Sequence, residues 1–347
     1  MLLKEIIFYP ILFCLHMIFS VTIWSSSILV ILYLQNDTLL YIYIISFIYF
    51  FRQSYIMQYH VFPNIIVFFV YVSWFFSIPI IVYMGYYNIY LMIITLLCCK
   101  YVPENFMNIK DFLELSQHYF NVKYYLKQNE YNNQSLFLMH PHGVFCTSFI
   151  IMKMKLKLNH IKFCQSSQVQ YLSFLYMFSR LLSNYSFVDK KTMLNNIRDG
   201  YSQCILPGGF EEAAQTEYGI EKIYIKNKKG FIKLALQHGQ SLIPIYAFNE
   251  TKLFYNFSNQ IPTLIRNFLV YYKIPVVIPF GSIFCPILPV NNNFEIIIGE
   301  EITLPTIQNP TNEDIDKYHT LYVEKLVELY NEGRVIFNLK CNDLIIE

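Results

Sequence analysis

Charge is almost absent from the first 99 residues of this 347-residue chain, and that asymmetry constrains the fold more than any motif does. Lys4, Glu5, Asp37 and Arg52 are the only formal charges before Lys100, and the other 46 of the 50 Asp, Glu, Lys and Arg residues follow from there on. The uncharged run from Ile6 to Asn36 exceeds the roughly 20 apolar residues that a helix needs to cross a hydrocarbon layer. It is longer than a secretory signal core and begins beside Glu5, so it reads as an anchor. Leu39 to Phe51 is shorter, and its length fits either a second span completed by Gln53 to Met57 or an interfacial helix. Gln53 to Cys99 is again uncharged and has room for a helical hairpin, roughly Asn64 to Tyr83 and Tyr87 to Cys99, with a turn at Met84-Gly85-Tyr86-Tyr87-Asn88. The chain thus divides into a hydrophobic extension over 1–60 with one or two membrane helices, a membrane hairpin over 61–100, and an α/β domain over 101–347.

Hydrophobic residues make up 55% of the whole and the net charge is only +2, without a basic run interleaved with aromatics, so nucleic acid is set aside as a partner. The eight cysteines show no CxxC spacing, which suggests neither a zinc site nor a disulfide framework. After Cys99 short apolar runs alternate with polar loops, the pattern of a sheet flanked by helices. Ser135 to Met139, Cys204 to Leu206, Ser241 to Phe248, Val276 to Phe280 and Phe294 to Ile298 are strand candidates. Gly230 to His238 has helical spacing with Gly239 as its stop. Thr311 and Asp314 form a capping pair for a last helix whose apolar face runs Ile315, Tyr318, Tyr322, Leu326, Leu329.

His140-Pro141-His142-Gly143 stands at the mouth of the first of these strands. Proline restricts the backbone on both sides of itself, and Gly143 permits close approach, so two imidazoles are held in a rigid segment. A neutral imidazole there can take the proton of an alcohol that attacks an acyl carbonyl and return it to the leaving group. The same HxH spacing also suits a metal, but the other histidines supply no complementary ligand spacing, and no metal is expected. Pro207-Gly208-Gly209-Phe210-Glu211-Glu212 marks a second strand end. Its glycines permit a turn whose backbone amides could serve an oxyanion, and Glu212 could orient or polarise a histidine. A plain strand-to-helix turn with a solvated acidic pair accounts for the same residues. Lys226, Lys228 and Lys229, ahead of the helix at Gly230, could hold phosphates or merely coat its surface.

The order of these pieces is similar to that of the type-2 diacylglycerol acyltransferase family, which includes monoacylglycerol and wax-alcohol acyltransferases. The resemblance rests on the HPHG tetrapeptide, the Pro207-Gly208-Gly209 turn with its Glu, Lys228 to Ala235 running into Leu242 to Phe248, Ile298-Gly299-Glu300, and the helix at Asp314 to His319. It extends from about Ile65 to the C-terminus. It implies a glycerolipid-acyltransferase-like α/β sheet flanked by helices and preceded by membrane-embedded helices. It further implies transfer of a fatty acyl group from acyl-CoA, a co-substrate with no other cofactor, to a membrane-dissolved lipid alcohol, diacylglycerol first among them.

By the same resemblance His140 and His142 belong to the active site, Glu212 matches the acidic residue of the glycine turn, and Lys228-Lys229-Gly230-Phe231 matches the basic-Gly-Phe element. We assign the base to His142, because it adjoins Gly143 and a helix expected near Cys146, and an orienting role to His140. Gly143, Gly208 and Gly209 are the expected oxyanion donors, and Lys226, Lys228 and Lys229 the expected acyl-CoA contacts. An endoplasmic-reticulum membrane location with the α/β domain facing the cytosol follows from the implied use of acyl-CoA; a homo-oligomer stays open. Asn121, Asn249, Ser282 and Asp189-Lys190-Lys191 depart from the family pattern. They bear on acceptor and donor contacts, and they leave room for a silent lipid-binding protein of the same fold.

Overall fold

The structure, a computed structural model, describes residues 120–347 apart from 133, 156–159, 172–175, 177–178, 181–183, 263, 266–276, 283–288 and 292, together with residues 90 and 93. The expected membrane helices therefore fall outside the described residues, apart from those two positions. Among the described residues no helix is long and apolar enough to cross a membrane.

The elements run in the order β1 (Asn121–Leu126), β2 (Leu136–His140), α1 (Thr147–Lys155), β3 (Ile161–Gln165), β4 (Tyr185–Phe187), α2 (Lys190–Arg198), β5 (Ser202–Ile205), α3 (Gly209–Gln215), β6 (Lys222–Ile223), α4 (Gly230–His238), β7 (Leu242–Phe248), β8 (Tyr255–Asn256), β9 (Pro279–Phe280), β10 (Asn293–Ile298), α5 (Asn312–Ile336) and β11 (Ile345–Ile346). Seven strands form one sheet in the order β1-β10-β7-β2-β5-β3-β4. The five from β7 to β4 are parallel, while β10 meets β7 antiparallel and carries β1 parallel to itself. Strands β2 and β7 are buried along their full length, as a parallel centre covered on both faces must be.

Alternation along the strands builds two cores. Phe137 and Met139 of β2, Ile243, Ile245 and Ala247 of β7, and Phe294, Ile296 and Ile298 of β10 pack with Phe149 and Met152 of α1. Leu136, Leu138, Leu242, Tyr246 and Phe248 face the other way, against Phe231, Ile232 and Ala235 of α4 and Ile315, Tyr322 and Leu326 of α5. Each fully buried large side chain on that face contributes about 1.5–3 kcal/mol of transfer free energy. Thr311 caps α5 in a reciprocal capping box with Asp314. Along α5 the buried residue beside Ile315 is His319, whose Nε2 lies 3.0 Å from the Ile225 carbonyl, and Tyr318 is only partly buried.

Two strand expectations need correction. The described part of the run, Val277 to Phe280, does not join the main sheet: there Pro279 and Phe280 form a strand, paired antiparallel with β8 in a separate two-stranded sheet. Pro279 within that run lacks the amide that a central ladder requires. Strand β2 also extends one residue further than expected, so His140 is its last residue instead of the first beyond it.

Candidate active site

The chain leaves β2 toward β3 and β4 on one side of the sheet, and leaves β7 toward β10 on the other. In an open α/β sheet the crevice at the carboxyl ends of two such neighbouring strands is where ligands bind. Here those ends carry His140-Pro141-His142-Gly143 after β2 and Asn249-Glu250-Thr251 after β7. The Pro207-Gly208-Gly209 turn follows β5, the other neighbour of β2, so the topology brings three loops to one edge.

The two histidines part company immediately. His140 shares the parity of Leu136 and Leu138, so its ring enters the core beneath α5, is fully buried, and stands with Nε2 3.0 Å from the Tyr322 hydroxyl. Desolvation pushes its pKa down to about 3, and Nδ1 has no hydrogen-bond partner among the described residues. His142 lies in the loop and keeps partial exposure. Its Nδ1 is 2.9 Å from the Gly143 carbonyl. A carbonyl can only accept, so Nδ1 carries the proton and Nε2 presents a lone pair. Burial lowers the His142 pKa from its ordinary value, which keeps this ring neutral near pH 7.

Glu212 is buried on α3, and its role differs from the expected one. Its Oε1 accepts the backbone N–H of His142, not a ring nitrogen, and its Oε2 accepts the Tyr224 N–H at 2.9 Å. It therefore fixes the loop that carries the histidine. Burial raises its carboxyl to about 7 despite the two amide donors, which pull it down. Gly208 lies against this carboxylate: a Cβ there would come within 2.0 Å of Oε2, so the first glycine of the turn makes room for Glu212. The Gly209 N–H donates to Leu206 at 3.2 Å and is already engaged. The amides of Gly143 and Gly208 make no hydrogen bond among the described residues.

Sequence reasoning missed Glu250. This second buried carboxylate accepts the N–H groups of Thr147 at 3.0 Å and Ser148 at 2.7 Å, the first turn of α1. Its position fills the anion-binding end of that helix. Burial raises its pKa to about 7 as well. Gly143, at φ +62°, rests on the side chain of Glu250, where a Cβ would meet Cγ at 2.5 Å. The available signal was an acidic residue just after a seven-residue apolar strand adjacent to β2. Tyr322, the partner of His140, was read only as part of an apolar helix face.

Asn249 occupies the left-handed region at φ +69°, a conformation that Asn tolerates among non-glycine residues, and its Nδ2 donates to Glu295 at 2.7 Å. The exchange of glycine for Asn there keeps the turn. Asp189 caps α2 by accepting the Thr192 N–H at 3.0 Å. Of the lysines, Lys228 pairs with Glu211 and Lys229 with Asp316 at 2.7 Å, whereas Lys226 is exposed and its ammonium makes no ion pair among the described residues. No group of three or more His, Cys, Asp or Glu converges as a metal-binding cluster among the described residues.

The chain is similar to several known proteins. The diacylglycerol acyltransferase family profile matches residues 66–347. Diacylglycerol O-acyltransferase 2 of Dictyostelium discoideum is 34% identical over 159 residues, covering 43% of this chain and 48% of that protein. The human protein of the same name is 31% identical over 156 residues (42% and 40%), and human acyl-CoA wax alcohol acyltransferase 2 is 31% identical over 155 residues (42% and 46%). The matched stretch thus spans less than half the length of each of these relatives. Among solved structures, the 1-acyl-sn-glycerophosphate acyltransferase PlsC of Thermotoga maritima aligns over 80% of this chain and 98% of its own, with a TM-score of 0.42 and 11% identity. With its profile matched over most of its length, the chain belongs to the diacylglycerol acyltransferase family.

Proposed function

We propose that this protein transfers a fatty acyl group from acyl-CoA to the hydroxyl of a membrane-dissolved lipid alcohol, diacylglycerol in the first instance, with His142 as general base. The observation that carries the reading is the 2.9 Å approach of His142 Nδ1 to the Gly143 carbonyl. With Nδ1–H committed to the Gly143 carbonyl, Nε2 is a free acceptor at a loop held from below by Glu212. In the reaction Nε2 takes the hydroxyl proton as the acceptor oxygen attacks the thioester carbon. The tetrahedral oxyanion is met by the open amides of Gly143 and Gly208, the C–S bond breaks, and the Nε2 proton passes to the departing thiolate. His140 supports the loop from within the core, and Lys226, with Lys228 and Lys229 behind it, meets the phosphates of the donor. Acyl-CoA serves as co-substrate and no further cofactor is invoked.

The endoplasmic-reticulum membrane, with the α/β domain on the cytosolic side, is the location that gives such an enzyme both substrates. Near-equal identity to diacylglycerol and wax-alcohol acyltransferases keeps a long-chain alcohol as a second acceptor, and monoacylglycerol beside it. The test is a panel assay. Membranes carrying the protein are given labelled acyl-CoA with diacylglycerol, monoacylglycerol, fatty alcohol or lysophospholipid, and labelled triacylglycerol is the expected main product. Transfer to none of them, or equal transfer by His142→Ala, would overturn the reading and leave a lipid-binding protein of the same fold.

A further inference from the structure

From Leu253 to Val290 the chain runs 38 residues with only two charges, Arg266 and Lys273, both basic. This stretch begins where β7 ends, at the same edge as His142, and nothing in the reaction above uses it. Leu253 and Phe254 root it in the first core and Val277 packs against that core, while the side chains farther out stay open. Tyr218 and Tyr255 stack in the open, with ring centroids 4.1 Å apart, and both are more than a third exposed. Tyr255 pairs with Phe280 in the β8–β9 sheet, and Phe257 meets Phe280 edge-on at 6.2 Å and donates its backbone N–H to the Ile278 carbonyl at 2.9 Å. Phe257 and Ile278 are exposed as well, and Leu264 and Ile265, just beyond, are 85% and 52% exposed. Six large apolar side chains thus crowd one small appendage, an arrangement that a water-facing surface does not ordinarily hold.

We infer that the appendage formed by Tyr218, β8, β9 and Leu264-Ile265 is a bilayer-contact surface that rests in the interfacial zone of a lipid membrane. The stretch's charges are all of the sign that anionic head groups attract, and its aromatic side chains suit the boundary between head group and acyl chain. The root of the appendage is fastened to the site. Asn256 Nδ2 donates to the Ala214 and Thr216 carbonyls at 3.3 and 3.2 Å, and the Ser258 hydroxyl donates to Ala214 at 2.8 Å, all at the end of α3. The same α3 carries Glu212, which holds the His142 loop. Seating this surface on a bilayer turns the mouth of the site toward dissolved lipid.

The surface does not depend on which reaction the site performs, and its test is built to keep the two apart. The only tryptophans are Trp24 and Trp74, both in the charge-poor first 99 residues. The full chain with Trp24→Phe and Trp74→Phe, carrying either Leu264→Trp or Val335→Trp, is placed in vesicles of phosphatidylcholine and phosphatidylserine with brominated acyl chains. Val335 is 80% exposed on α5 and serves as the water-facing control. The proposal expects the Leu264→Trp emission to be blue-shifted and lost to bromine quenching, with Val335→Trp unaffected. Equal quenching of the two, or a blue-shifted Leu264→Trp emission that bromine leaves intact, as burial against a second copy would give, overturns it. Quenching of Trp24 and Trp74 in the unsubstituted protein reports separately whether the chain is in the bilayer at all.

Discussion

His140 and His142 are two residues apart and inhabit opposite kinds of environment. One ends a buried strand, turns under α5 and meets a tyrosine within the core; the other sits in a loop, partly open, with one nitrogen bound to its neighbour's carbonyl and one unengaged. The end of β2 produces the difference: His140 is its last residue and follows the strand's alternation into the core, whereas His142 lies beyond it. It teaches that an HxH pair need not act as a pair: the strand takes one ring for the core and the loop presents the other.

The largest effect expected from this division is catalytic. His142→Ala should lower acyl transfer per folded molecule by about 10²–10⁴-fold, the usual worth of a general base, with little change in melting temperature. His140→Ala should do the reverse. It opens a cavity beneath α5 and strands the Tyr322 hydroxyl, costing about 2–4 kcal/mol of stability, while the surviving folded fraction keeps measurable turnover. Thermal melting in detergent beside specific activity separates them, and the same signature from both variants would break the comparison.

Next come the carboxylates that hold the loop. Glu212→Ala leaves the amides of His142 and Tyr224 without an acceptor, at about 1–3 kcal/mol each, and a displaced His142 should reduce kcat with KM for acyl-CoA nearly constant. Gly143→Ala combines a left-handed backbone with a Cβ that would displace the Glu250 side chain, and about 1–3 kcal/mol of strain should appear as a lower melting temperature. Tyr322→Phe is milder, about 0.5–1.5 kcal/mol, because it removes one hydrogen bond to His140 and keeps the packing.

Much of the scaffold was legible because periodicity and capping are local. The helix Gly230 to His238 and its left-handed Gly239 stop came directly from spacing, and Thr311 with Asp314 formed the expected box. Strands β1, β3 and β4 were not legible: β1 is an exposed edge with Lys123 and Asn121 in it, and β4 is three residues long, so neither carries an apolar run. At the site, residue types were readable and partners were not. Glu212 near a histidine suggested a ring contact, whereas its carboxylate accepts the backbone N–H of His142. Glu250 and Tyr322 come from elements far away in the chain, 103 residues from Thr147 and 182 from His140, and nothing local marks them as neighbours of the tetrapeptide.

The smallest effect sharpens the comparison through pH. Burial raises Glu212 and Glu250 to about 7, so between the ordinary carboxylate range and pH 7 the folded protein holds protons that the unfolded chain has lost. Their stability contribution is therefore full below the unfolded pKa and declines as pH rises through 7. The histidines act in the opposite sense: their lowered pKa values favour the folded state above the ordinary imidazole range and penalise it as pH falls. For catalysis the two kinds of group separate cleanly. His142 stays neutral to lower pH than a free imidazole, so its own ionisation should not set the acid limb of the rate profile. Protonation of Glu212 near pH 7 removes one acceptor from the pair of amides it serves, and that loss should set the limb. Glu212→Gln cannot ionise, and although slower it should show an acid limb displaced to lower pH, where His142 itself takes up a proton. A profile unmoved by Glu212→Gln would mean that the carboxylate holds the loop equally well in both states, and that the limb belongs to another group.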